Sequence, residues 1–270
     1  MLLGALIHAL WNAWLRGGKD QLKIRTMMVV SSSVLCLGLL FFLPIPSPAA
    51  WPFIALSVVG HLAFNLFLVQ MYREGDLSQT YIISRGTQPL LISIGGAIFA
   101  SEVPTFGVLV GIILVSAGIL LLVNMNRVRS SAAKYALLTG GVSSVNSILA
   151  GMGIRADEGG VLSYMSWIVA LNGIPMCAIY LALRKDLRIW EMERFDWIAA
   201  ILGGFFATAG YALTIWAMRH APFAAVSALR ETSILFALLL GCTMLREKLT
   251  LRKIIASLLT FIGASLISAD

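Results

Sequence analysis

Long apolar runs alternate with short polar connections along the whole chain. Ten runs stand out, at residues 2–15 (α1), 24–43 (α2), 52–71 (α3), 77–100 (α4), 104–123 (α5), 134–153 (α6), 161–183 (α7), 195–217 (α8), 222–245 (α9) and 250–268 (α10). Most reach about 20 residues, at which a helix rising about 1.5 Å per residue crosses roughly 30 Å of hydrocarbon. The connections are short, so consecutive helices are expected to be antiparallel neighbours. The exception is PIPSPAAWP between α2 and α3, which holds four of the eight prolines and is expected to be non-helical. The first run is short for a span. Either the start at Met1 lies inside the first helix, or that helix crosses imperfectly. The predicted fold is an all-α polytopic membrane protein with ten transmembrane helices.

Composition agrees with the pattern. The chain has 270 residues, 59% hydrophobic and 12% charged, against about 45–50% and about 25% in soluble domains. No polar segment is long enough to form a soluble domain. This excludes a soluble enzyme and a sequence-specific nucleic-acid binder, so no nucleic acid is expected as a partner. The formal net charge of +7 reads as loop charge that sets orientation. Cys36, Cys177 and Cys242 all sit in apolar runs, without metal-ligand spacing, and read as inert thiols.

The basic residues are unevenly placed. Sixteen of the 20 Lys and Arg lie in or beside the α1–α2, α3–α4, α5–α6, α7–α8 and α9–α10 connections. The other connections hold Arg155 and Arg219, and Arg85 and Arg230 complete the count. By the positive-inside rule the α1–α2 connection faces the cytoplasm and both termini face outward.

The chain also repeats itself. Residues 72–122 slide by 145 positions onto 217–267 without a gap. Arg85 then falls on Arg230, Thr87 on Thr232, Gly96 on Gly241, Glu102 on Glu247, Thr105 on Thr250 and Gly118 on Gly263. A looser match pairs Asn12 with Asn146. The predicted halves are 1–126 and 127–270. Each has five spans, an odd number, so the two are inverted. That architecture places a transporter's substrate site near the bilayer midplane, between the repeats.

Arg85, Arg230 and Glu231 break the apolar runs of α4 and α9. They lie about eight to nine residues inside their spans, roughly 12–14 Å deep. A charge there costs at least about 2.5–3.5 kcal/mol, so it must face protein or a water-filled cavity. Adjacent Arg230 and Glu231 point about 100° apart on a helix and pair poorly, whereas Glu231 can reach across to Arg85. One reading is a structural ion pair that pins α4 to α9; the other is a site that binds substrate or a proton. Tyr81, Arg85 and Gln88 share one face of α4 at i, i+4, i+7 spacing, which suits a carboxylate or another small polar anion. Pro89 collides with the carbonyl of Arg85, so α4 is expected to kink there, for a cavity or for packing alone. Two arginines and one glutamate sum to +1, which favours an anionic or zwitterionic substrate. A buried Glu231 could also carry a proton.

Other residues carry weaker signals. His8 with Asn12, and His61 with Asn65, share helix faces and suit interhelical hydrogen bonds; no metal set is present. Trp11, Asn12 and Asn146 fall in the first span of each half and are candidates for the substrate path, as is Trp14, which could instead anchor at the interface. Gly107 and Gly111 allow close packing of α5, within the chain or in a homodimer. Glu102 and Glu247, followed by Thr105 and Thr250, read as turn and helix-start chemistry. The Glu74/Asp76 and Asp157/Glu158 pairs read as solvated. No phosphate-binding loop, nucleophile elbow or HExxH is present, so neither ATP hydrolysis nor a cofactor is expected.

The paired halves, HALWN at 8–12, GDLSQTYIISRG at 75–86, ALRETS at 228–233 and the acidic ends of α4 and α9 together resemble the EamA-like branch of the drug/metabolite transporter superfamily. The resemblance covers essentially the whole chain. It implies ten helices around a central cavity, and export or uptake of a small metabolite. Better-known members keep both termini in the cytoplasm, opposite to the charge count here. The expected function is secondary-active export of a small polar, anionic or zwitterionic metabolite across a prokaryotic cytoplasmic (inner) membrane, with protons as the candidate coupling ion and membrane lipid as surroundings. The alternatives are a lipid-linked substrate flippase and a non-transporting membrane enzyme or scaffold.

Overall fold

A computed structural model describes residues 21–75, 77–124, 126, 128–184, 191–235 and 250–269. All regular structure among them is helical: α2 Gln21–Leu40, α3 Trp51–Glu74, α4 Leu77–Phe99, α5 Phe106–Leu121, α6 Ser130–Ala156, α7 Val161–Arg184, α8 Arg194–His220, α9 Phe223–Glu231 and α10 Leu251–Ala269, with a short 3-10 turn at Pro48–Ala50. Seven of these helices are long and apolar enough to cross a membrane, and α5 is a shorter apolar helix. The expected α1, the second half of α9, and with them His8, Trp11, Asn12, Trp14, Gly241, Cys242 and Glu247 lie outside the described residues.

Apolar side chains cover the outside as well as the core. Phe41, Phe42, Phe106 and Ile174 are each at least 80% exposed. In water such a surface would drive aggregation; in lipid it needs no cover. The helices run slightly past their apolar segments. Predicted over 134–153, α6 spans Ser130–Ala156, because its polar flanks contain no helix breaker. The proline-rich connection is less irregular than expected. Pro48 opens the 3-10 turn and Pro52 sits in the first turn of α3, where a missing N–H leaves no helical bond unmade.

Packing relies on small residues. Helix α5 lies against α10, α2 against α7 and α8, α3 against α6, and α4 against α6, α5 and α9. At the α5–α10 contact a Cβ added to Gly111 would meet the Gly263 carbonyl oxygen at 2.7 Å, and one added to Gly263 would meet the Gly111 carbonyl at 2.6 Å. Gly111 therefore serves packing within the chain, backbone against backbone. Gly140 does the same for α6 on α4, where a Cβ would meet Thr87 Oγ1 at 2.8 Å and the Ser84 carbonyl at 2.9 Å. That contact fixes α4 beside the residues that carry charge.

One residue of the Asp157/Glu158 pair departs from its expected role, while Glu158 is exposed as expected. Asp157 was expected to be solvated but is only 2% exposed, because the α2–α3 connection folds over it and Ser47 N–H donates to its Oδ1 at 2.8 Å.

Candidate functional site

Helices α4 and α9 cross where the apolar pattern breaks. Arg85 Nη1 reaches Glu231 Oε1 at 2.9 Å, an ion pair between the two halves of the chain. The same oxygen lies 3.5 Å from Arg230 Nη2, a longer contact between sequence neighbours. Arg230 Nη2 also donates to Gln88 Oε1 at 3.1 Å, back on α4. On the other flank Arg85 Nε donates to the Tyr81 hydroxyl at 2.9 Å, and its guanidinium sits 5.2 Å from the Tyr81 ring centroid. The result is one connected row: Tyr81, Arg85, Glu231, Arg230, Gln88. All five residues singled out on these two helices are joined.

Burial divides the row. Glu231 is 3% exposed and Gln88 2%. The arginine side chains keep 14% and 19% of their surface. Exposed cationic surface at mid-span depth is costly unless it meets water or an anion. Two guanidiniums facing one carboxylate leave a net charge of +1.

Helix α4 continues through Pro89 to Phe99. It is α9 that is interrupted, directly after Glu231. Thr232 N–H bonds the Leu229 carbonyl at 3.2 Å, and Leu235 N–H bonds the Thr232 carbonyl at 2.9 Å, both at three-residue spacing. The Thr232 hydroxyl adds a bond to the Leu229 carbonyl at 2.7 Å. This tightened turn fixes the direction in which Glu231 leaves the helix. Its signal in the sequence was the Glu-Thr-Ser run, since hydroxyl side chains compete for backbone carbonyls.

The start of α9 is held by a second cluster. Glu102 Oε2 accepts the Phe223 N–H at 2.8 Å, and Glu102 Oε1 pairs with Arg155 Nη2 at 2.5 Å. Arg155 also donates to the carbonyls of Met218 and Ala221, each at 3.0 Å, and lies 4.1 Å over the Phe223 ring. Thr105 caps its own helix α5, accepting from Val108 N–H. Glu102 thus performs helix-start chemistry, but for α9 rather than α5.

The remaining candidates sit apart. Asn146 is buried on α6 against α3, where a Cβ on Gly60 would meet its Oδ1 at 2.2 Å. That oxygen has no hydrogen-bond partner among the described residues. Among the described residues His61 bonds its own helix, where its Nδ1 meets the Ser57 carbonyl at 2.7 Å. The His61 ring stands edge-on to Tyr211 of α8, with centroids 6.2 Å apart. The sequence reading missed Tyr211, whose hydroxyl is buried without a partner among the described residues, as is Arg230 Nε. Arg230 acts electrostatically on Tyr211, which places this second polar group beside the row. A single tyrosine in an apolar span gives no periodic signal. Among the described residues no group of His, Cys, Asp and Glu is arranged to hold a metal. A groove of about 830 Å³ between α3 and α6 is lined by apolar residues and Lys134, and contains none of the row.

No protein of curated function is significantly similar in sequence. The chain is similar in fold to a crystal structure of a protein with TM-score 0.76, over 99% of this chain and 93% of that one, at 15% identity. That likeness concerns the fold alone. The model of the EamA-like transporter family matches residues 131–269, half of the chain. The chain therefore belongs to the EamA-like transporter family of the drug/metabolite transporter superfamily and is an integral membrane transporter protein.

Proposed function

We propose that the chain transports a small polar, anionic or zwitterionic metabolite together with a proton by alternating access, and that the row on α4 and α9 is its binding site. The observation that carries this reading is Arg85 and Arg230 converging on the single carboxylate of Glu231. A purely structural pair would be balanced; this one keeps a positive surplus and exposed guanidinium surface. A substrate carboxylate or comparable anion would be drawn by that surplus positive charge, and a guanidinium favours it with bidentate geometry. Tyr81 and Gln88 hold the arginines in place from either side.

Glu231 is assigned as the proton carrier. Protonated, it releases both arginines to the substrate; ionised, it competes with the substrate for them. That exchange couples the two ligands through one atom, and such coupling is reciprocal. The inverted repeat, 1–126 on 127–270, supplies the two bodies that rock. Supporting it are the packing of α5 on α10 and of α2 on α7, each joining helices at corresponding positions in the two halves. The charge count places both termini outside a prokaryotic inner membrane.

Counterflow in liposomes tests the reading. Protein loaded with unlabelled carboxylates, phosphonates or zwitterionic amino acids should accumulate the matching labelled compound. Exchange of organic cations alone would contradict it.

A further inference from the structure

A second buried carboxylate lies away from this site, where the α2–α3 connection meets the turn between α6 and α7. Asp157 follows the last residue of α6 and is 2% exposed. Its Oδ1 accepts from Ser47 N–H at 2.8 Å, and its Oδ2 has no hydrogen-bond partner among the described residues. Nor does a cation balance it within that set. Arg155, two residues earlier, is committed to Glu102 and to the Met218 and Ala221 carbonyls. A buried carboxylate left with one hydrogen bond is costly unless its charge is met.

The space next to it is bounded by oxygen. A Cβ added to Gly159 would lie 3.3 Å from the Ile45 carbonyl oxygen, 3.4 Å from Asp157 Oδ2 and 3.5 Å from Asp157 Oδ1, its three nearest heavy atoms. Glycine keeps that point clear of carbon. Neighbouring groups are already used: the Ser47 hydroxyl donates to the Ala156 carbonyl at 3.1 Å, and the Ser163 hydroxyl donates to the Pro44 carbonyl. Gly160, at φ +98°, turns the chain into α7. An all-oxygen donor set without imidazole or thiolate selects a hard cation. One carboxylate balances one positive charge, which suits a monovalent rather than a divalent cation.

We propose that Asp157 and the Ile45 carbonyl bind a sodium ion in the cleft that Gly159 keeps open, with water completing its shell. The ion would tie the α2–α3 connection to the α6–α7 turn, at the end where α2 and α7 pack together.

The test is thermal unfolding of the full chain in detergent, in sodium, potassium or choline chloride at equal ionic strength. Sodium is expected to raise the apparent Tm by a few degrees in a saturable way, and potassium and choline to have less effect. Asp157→Asn should abolish the shift. Gly159→Ala keeps the test valid if that variant fails to fold. Its methyl meets its neighbours at 3.3–3.5 Å, so it should match the wild type in choline and lose the sodium response by filling the cleft. Equal Tm in all three salts overturns the proposal. So does a sodium shift that survives in Gly159→Ala, or a shift produced by calcium but not by sodium.

Discussion

Two charged clusters hold α9, and they are built differently. At its start, Glu102 and Arg155 are matched one to one. Glu102 caps the helix with one oxygen and pairs with the other, while Arg155 spends its remaining donors on two carbonyls and a ring. Nine residues along, Glu231 faces two arginines, and Arg230 Nε is left without a partner among the described residues. The first cluster is balanced, one acid to one base; the second carries a surplus of one positive charge. A latch should be balanced and saturated, because each unmet group costs stability. A binding site must keep capacity for what arrives. The comparison therefore assigns stability to the Glu102 cluster and ligand recognition to the Glu231 cluster.

Substitutions can break this division, and the largest effect is expected at Arg85. Arg85→Ala should lower substrate exchange at least about 100-fold, and should also destabilise by about 3–5 kcal/mol, because Glu231 stays buried with only its longer contact to Arg230. The double variant Arg85→Ala, Glu231→Gln removes that stranded charge. It should recover most of the stability and none of the exchange; recovery of exchange would make Arg85 a structural residue. Next in size is Glu231→Gln alone. It should keep counterflow yet lose accumulation driven by a pH gradient, measured in the same liposomes. Uphill transport at the wild-type level would remove Glu231 from coupling.

The latch should respond in the opposite sense. Glu102→Ala leaves the Phe223 N–H uncapped and Arg155 without its acid. The expected loss is about 1–2 kcal/mol of stability, modest because Arg155 is 36% exposed and screened by solvent. Its KM for exchange should stay within about twofold of the wild type, within roughly 0.4 kcal/mol. The smallest effect is expected from Thr232→Val, which deletes the hydroxyl bond to the Leu229 carbonyl. Stability should fall by less than about 1 kcal/mol, while a small rise in KM would show that the turn aims Glu231.

Much of the charged row was legible in the sequence, and the reason is physical. A charge in an apolar run is expensive, so it stands out, and the 145-residue offset paired Arg85 with the right partner helix. The i, i+4, i+7 rule put Tyr81 and Gln88 on the correct face. What failed depended on chain segments distant in sequence. Asp157 looked solvated because nothing local shows that Ser47 and Ile45 fold over it. The interruption of α9 at Thr232, whose hydroxyl competes for a carbonyl, was not foreseen, while α4 runs through Pro89 as one helix. His61 looked like a bridge, and among the described residues its Nδ1 bonds a carbonyl of its own helix. Tyr211 carried no pattern at all, since one hydroxyl in an apolar span has no period.

The most direct measurement is ligand-induced thermal stabilisation of purified protein against a panel of carboxylates, phosphonates, amino acids, sugars and organic cations, run in parallel on the wild type, Arg85→Ala and Glu102→Ala. A ligand that binds only the folded state raises apparent stability by mass action. The account predicts that one anionic or zwitterionic class stabilises the wild type and, by the same increment, Glu102→Ala, but not Arg85→Ala. Equal stabilisation of all three proteins, or stabilisation by cations alone, would contradict the assignment of the Arg85–Glu231–Arg230 cluster as the binding site.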